Sequence, residues 1–212
     1  MFKCIKTTTT QNKNSVNLYQ SPHTTGEKVL IIAGTHGDEP QGTDILSLYI
    51  KENITCKNNL YIIPCVNPDG YEQKLRTNSN NVDLNRNFPT ENWELTEKNE
   101  FFGGNSPSSE IETQFLVEII TEIKPDIILT IHAPFKIVNY DGPAENISKQ
   151  IAKIIDYPVQ HDIGYPTPGS FGTYCGLEKN IPTITLELGE DESFTWQKDR
   201  CYKILELLAN QY

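Results

Sequence analysis

Four short apolar runs, at residues 28–33, 60–66, 126–132 and 182–188, constrain this chain more than anything else in it. Each is short, predominantly apolar and followed by residues of a different character. They therefore predict strands buried on both faces of a sheet. Between and after them lie stretches with helical spacing, at about 40–52, 108–124, 144–156 and 193–210. Ser109 followed three residues later by Glu112 predicts a capping box at the start of the second stretch, with apolar positions 111, 115, 116, 119 and 120 behind it. Strand–helix alternation of this kind predicts a three-layer α/β/α domain around a central mixed, largely parallel sheet. Neither an internal repeat nor a linker interrupts the 212 residues, so 1–212 reads as a single domain.

Composition excludes some functions. Eighteen Lys and Arg against 28 Asp and Glu give a formal net charge of −10, which opposes sequence-independent binding to nucleic acid or to anionic lipid. None of the apolar runs approaches the length of a membrane span. Cys4, Cys56, Cys65, Cys175 and Cys201 are odd in number and form no C-x-x-C, so reduced thiols are expected. Thr, Gln and Asn follow the first residues where a secretory signal would carry an apolar stretch, and a cytoplasmic protein is expected.

In α/β sheets, ligands bind beyond the carboxyl ends of strands. His36, Asn67, His132 and Glu187 all fall at or just after such an end. His36-x-x-Glu39 pairs an imidazole with a carboxylate, and His132 offers a third donor. Two nitrogens and a carboxylate on zinc leave one position open for water, the arrangement of a hydrolytic site. Residues 67–107 are rich in Asn, Pro and Gly, with little periodicity, and read as a long functional loop. That loop carries Arg76 and Arg86, and a guanidinium suits both carboxylate recognition and oxyanion stabilisation.

Taken in order, His36-x-x-Glu39, Asn67-Pro68-Asp69-Gly70, Asp83-Leu84-Asn85-Arg86-Asn87, His132 and Glu187 resemble the motifs of the zinc carboxypeptidase family, over about residues 29–190. Within it, His132-Ala133-Pro134 and the segment Tyr165–Gly172 are most similar to the murein peptide amidase branch, whose members release diaminopimelate from murein tripeptide inside the cell. The resemblance implies one zinc ion per chain, held by His36, Glu39 and His132. It implies Glu187 as general base and then acid, Arg76 as oxyanion stabiliser, and Asn85 and Arg86 as the grip on the free carboxylate of a small peptide substrate. Asp83 would orient the loop or a ligand histidine. Tyr165 would cover the substrate, Gly169 and Ser170 would approach it closely, and Thr185, two residues from Glu187 on the same strand face, would meet the released side chain. His23 and His161 match no motif and read as solvated or structural.

Two rival readings remain at this level. N-acyl amino acid deacylases of the aspartoacylase and succinylglutamate desuccinylase type share a His-x-x-Glu, an Asp-Leu-Asn-Arg and a later histidine. The Asn67–Gly70 turn and the Gly169–Gly172 segment favour the peptidase. A non-catalytic peptide-binding module would keep the fold without the base and both arginines, which this chain retains.

Overall fold

The computed structural model describes residues 1–23, 25–161 and 164–210. The four apolar runs form strands β3 (Lys28–Ala33), β4 (Asn59–Ile63), β5 (Ile127–His132) and β8 (Thr183–Glu187). They are mutually parallel in the order β4-β3-β5-β8. Four further strands flank them: β1 (Lys3–Thr9) and β2 (Ser15–Gln20) beside β4, and β6 (Ile137–Asp141) and β7 (Val159–Gln160) beside β8. The β1–β2, β2–β4 and β6–β8 pairs are antiparallel, which makes the eight-stranded sheet mixed.

Period two divides each central strand between two cores. Val29, Ile31 and Ala33 face one side with Leu129, Ile131, Ile184 and Leu186. There they meet α1 (Pro40–Tyr49), α4 (Glu145–Ile155) and α5 (Phe194–Asn210). Leu30, Ile32 and Ile128 face the other side, against α3 (Ile111–Ile123), Phe88, Phe171 and Tyr174. Burying each such side chain contributes roughly 1.5–3 kcal/mol, which is why a sheet this apolar is covered on both faces.

Helix α4 shows the amphipathic spacing plainly. Ile147, Ile151 and Ile155 are buried, while Glu145 and Lys149 pair one turn apart on the exposed face at 2.7 Å. The capping box expected at Ser109 does not form. Glu110 takes the N-cap position of α3 without a side-chain cap bond, and the Ser109 hydroxyl donates to Glu110 Oε1 at 2.6 Å. The reason lies in the neighbouring loop: Asn78 Nδ2 donates to Glu110 at 2.8 Å and Asn87 Nδ2 donates to Ser109 at 3.0 Å, so tertiary partners claim the local capping groups.

Nor is the 67–107 segment without structure. Asn67 caps α2 (Pro68–Gln73) by accepting from Gly70 N at 2.9 Å, and Pro68 occupies the first turn, where its missing N–H costs nothing. Asp83 caps a single 3-10 turn, Leu84–Arg86, by accepting from Asn85 N at 2.9 Å. Among the described residues, no helix is long and apolar enough to cross a membrane.

Candidate active site

The parallel strands β3, β4, β5 and β8 end on one edge of the sheet, and the catalytic candidates collect there. His36 and Glu39 lie on the loop that leaves β3; His132 and Glu187 are paired in register at the ends of β5 and β8. Thr130 and His132 on β5 share a face with Thr185 and Glu187 on β8, the face covered by α3 and Phe171. Thr130 Oγ1 and Thr185 Oγ1 lie 3.1 Å apart, and both side chains open into the cleft.

One nitrogen of each of His36 and His132, with a carboxylate oxygen of Glu39, lies within 4.8 Å of the others. Glu39 sits between the rings, 2.6 Å from His36 Nδ1 and 2.9 Å from His132 Nδ1. Asp83 Oδ1 holds the other nitrogen of His36 at 3.1 Å, the outer carboxylate that typically fixes ring orientation and tautomer around a metal. Burial alone would lower His36, but the charges of Glu39 and Asp83 outweigh it and push the imidazole up to about 9. Burial would raise Glu39, yet the two imidazoles hold it well below the ordinary carboxylate range. A cluster that draws a proton this strongly attracts a divalent cation by the same electrostatics, and two nitrogens with a carboxylate are a donor set that fits zinc.

The second oxygen of Asp83 binds Arg76, accepting from Nε at 3.1 Å and from a terminal nitrogen at 3.0 Å. One fully buried carboxylate therefore fixes a metal-ligand candidate and the oxyanion candidate together. The Phe101 ring lies 5.2 Å from the Arg76 guanidinium carbon and covers its other side. Arg86 is placed differently. Its side chain is 9% exposed and donates to the backbone oxygen of Asn85, with no carboxylate in salt-bridge range among the described residues. Burial lowers it, Asp83 opposes the change, and the charge of Arg76 adds to it. A buried cation so little compensated is a strong site for an anion.

Glu187 is largely buried, and one carboxylate oxygen, Oε2, has no hydrogen-bond partner among the described residues. Burial raises its pKa; His132 opposes this and the Glu39 charge adds to it. A poorly solvated carboxylate at a strand end beside a metal-ligand candidate is suited to taking a proton.

His36, Glu39, Arg76, Asn85, Arg86, His132, Tyr165, Ser170, Thr185 and Glu187 all line one cleft of about 550 Å³. Asn85 Oδ1 accepts from Phe171 N at 2.9 Å, which turns its Nδ2 away from that bond. Tyr165 is half exposed on the rim. Gly169 lies behind the wall instead of on it: its N–H donates to Thr90 Oγ1 at 3.1 Å, and its oxygen accepts from Phe88 N at 2.9 Å. With φ +69° and a Cβ that would fall 2.2 Å from the Arg86 carbonyl oxygen, Gly169 lets the two segments touch. Sequence reading missed Asn139 and Asp141 on β6, which also line the cleft, and Asp38 and Phe101 at its mouth. A weak alternation in Ile137–Asp141 was the only signal for the two on β6.

Comparison with known proteins decides the family. The profile of the zinc carboxypeptidases matches residues 3–143. The chain belongs to the zinc carboxypeptidase family. Murein peptide amidase A of Escherichia coli (strain K12) is 35% identical over 181 residues, spanning 80% of this chain and 74% of that protein. The Vibrio campbellii protein of the same name is 35% identical over 174 residues, spanning 75% and 68%. The solved murein-tripeptide amidase from Escherichia coli O157 superposes with a TM-score of 0.82 at 30% identity, covering 95% of this chain and 89% of that one. Thrombin activatable fibrinolysis inhibitor superposes at 0.84 with 17% identity, covering 99% and 68%, a likeness of fold. The protein is a hydrolase of this family, with its mixed, mostly parallel sheet.

Proposed function

We propose that this protein is a zinc-dependent murein peptide amidase that cuts the γ-D-Glu–diaminopimelate bond of the tripeptide L-Ala-γ-D-Glu-diaminopimelate. The observation that carries this reading is Arg86, a buried guanidinium facing the cleft without a carboxylate partner among the described residues. A free carboxylate on the departing residue supplies that partner, with Asn85 beside it, so cleavage falls at the last residue of a peptide.

The departing side chain is read from the deeper wall. Asp141 and Asn139 on β6 stand opposite Thr183 and Thr185 on β8. Burial raises the largely buried Asp141, the charge of His161 partly opposes this, and its carboxylate makes no hydrogen bond among the described residues. Gly172 allows this: a Cβ there would lie 2.2 Å from Asp141 Oδ2. A carboxylate kept short of partners at a pocket wall favours a ligand ammonium, and amide and hydroxyl groups beside it suit a ligand carboxylate. Diaminopimelate carries both at the far end of its side chain.

His36, Glu39 and His132 would hold the metal, with Asp83 orienting His36. Zinc, when bound, supplies Lewis acidity to the scissile carbonyl and acidifies the attacking water. Glu187 accepts that water's proton and delivers it to the leaving amine. Arg76, held by Asp83, donates to the carbonyl oxygen as negative charge develops. Retention of free thiols at all five cysteines agrees with a reducing, cytoplasmic setting, where the peptide would arise from cell-wall turnover.

Incubating the purified protein with the tripeptide and weighing the products tests the proposal. Free diaminopimelate and L-Ala-D-Glu are expected. Turnover of N-succinylglutamate or N-acetylaspartate, with the tripeptide intact, would instead favour the deacylase reading.

A further inference from the structure

The two arginines of the site sit on separate stretches of the chain. Arg76 precedes the turn at residues 78–82, and Arg86 ends the 3-10 turn Leu84–Arg86. On the amidase reading, their separation sets how far the substrate's terminal carboxylate lies from the carbonyl that is cut. Asp83 orients the Arg76 side chain, but the backbone that carries it needs a support of its own. Glu110, the N-cap residue of α3 and 5% exposed, reaches both stretches.

It does so through different atoms. On the Arg76 side, Glu110 Oε2 accepts from Asn78 Nδ2 at 2.8 Å and from Asn80 Nδ2 at 2.7 Å. Asn78 closes the turn in its own right, with Oδ1 accepting from Asn80 N at 3.0 Å and from Val82 N at 3.1 Å. On the Arg86 side, the backbone N–H of Glu110 donates to Asn87 Oδ1 at 3.2 Å, and Asn87 Nδ2 donates to Gly103 O at 2.7 Å. Gly103 lies so near Arg86 that a Cβ there would fall 2.4 Å from the Arg86 carbonyl oxygen. Behind Glu110, Phe115, Leu116, Ile119 and Ile120 bed α3 in the core. Burying a charge is costly, so fold stability alone does not call for a carboxylate at this helix end. A carboxylate oxygen does, however, accept from two amide donors at once.

Resting on the amidase reading and its use of Arg76 at the oxyanion, we propose that Glu110 is a positioning residue whose carboxylate, through Asn78 and Asn80, places Arg76 at the scissile carbonyl. The Arg86 turn is tied to its backbone N–H instead. Loss of the side chain should therefore slow the cut without loosening the grip on the departing residue.

The test is a double-mutant cycle of Glu110→Ala and Arg76→Ala, with every protein matched for bound zinc. Diaminopimelate release from L-Ala-γ-D-Glu-diaminopimelate is followed at enzyme concentrations high enough to time the slow Arg76→Ala protein. Misplacing a catalytic group by about 1 Å costs up to roughly 100-fold, so Glu110→Ala should lower kcat roughly 10- to 100-fold and move KM less than about twofold. In the Arg76→Ala background the same substitution should cost nothing further. Glu110→Gln, whose amide oxygen still accepts from both asparagines, should recover most of the rate. If Glu110→Ala does not fold, Asn80→Ala at an exposed position replaces it in the cycle, with a smaller loss of kcat that also vanishes without Arg76. An unchanged kcat, or a rise in KM alone, overturns the proposal and leaves the amidase reading intact. So does a fall in kcat that persists in the Arg76→Ala background, which is what a general loss of folded protein would give. Native protein that releases no diaminopimelate overturns both readings. An Arg76→Ala protein as fast as the native one removes the oxyanion role, and with it the role of Glu110.

Discussion

A carboxylate that must take a proton has to be poorly solvated, and Glu187 meets that condition at a cost to the fold. Its Oε2 is buried without a partner among the described residues, and burial raises its pKa. Replacing it with Gln removes the proton acceptor and also removes an under-solvated charge, so activity and stability should move in opposite directions. Glu187→Gln is expected to lower kcat by roughly 10²–10⁴-fold. In chelator-treated protein, where no cation offsets the charge, its Tm should be equal to or above that of the native chain. For a chain of this size each kcal/mol moves Tm by roughly 2–4 °C. Turnover assays with differential scanning calorimetry check both halves; an active variant, or one several degrees less stable, would remove Glu187 from its role. Arg86 shows the same economy in reverse, a cation left short of partners until a substrate carboxylate arrives.

Among the elements, α3 carries a second buried acid whose position is structural. Glu112 lies in the first turn, 1% exposed, with Asn78 Nδ2 at 3.4 Å. Burial pushes it up to about 7, opposed by hydrogen bonds and reinforced by the Glu110 charge. A folded-state pKa above the unfolded value means the folded chain holds the extra proton between about 4.3 and about 7, so stability falls as pH rises through that window. Glu112→Gln should therefore raise Tm at pH 8 relative to native protein by several degrees and change it little at pH 4.5. Melting curves at the two pH values decide it; an equal shift at both would deny the titration. The expected capping box used this same Glu112, and it failed because Asn78, Asn80 and Asn87 reach across from the 67–107 loop to the residues around the helix start. Local spacing cannot report such partners. By contrast, β3, β4 and β5 were legible because continuous burial leaves nearly continuous apolar runs, and β8 because its Ile184 and Leu186 alternate with Thr183, Thr185 and Glu187. Strand β1, Lys3–Thr9, was not: it lies at the sheet edge, mostly exposed, and its Lys and Thr residues carry no burial pattern. The metal-ligand candidates, base and arginines were readable from motif order, whereas Asn139 and Asp141 required the cleft wall, since a weak alternation in a short strand carries no motif.

At the scale of the whole molecule, the metal-ligand candidates and their partners join parts of the chain that lie far apart in sequence. His36 and Glu39 come from the loop after β3, and His132 from the end of β5. Asp83 reaches them from the 3-10 turn and brings Arg76 with it. A ligand that binds only this assembled arrangement stabilises the folded state by mass action, about 2.7 kcal/mol at a hundredfold excess over Kd. Adding zinc to chelator-treated protein should raise Tm by roughly 5–10 °C at that excess, with the rise growing as the logarithm of free zinc, and should restore peptide hydrolysis over the same concentrations. Magnesium, which prefers oxygen donors and octahedral geometry, should do neither. Asp83→Asn keeps the shape but removes the charge that orients His36, so zinc affinity should fall roughly 10- to 100-fold. The Tm curve would then shift to higher zinc by the same factor. Arg76 loses its charged partner in that variant, so turnover at saturating zinc should still lag behind the native protein. A variant that recovers full turnover once zinc is saturating would show that Asp83 serves the metal alone, and that the oxyanion arginine is held by other means.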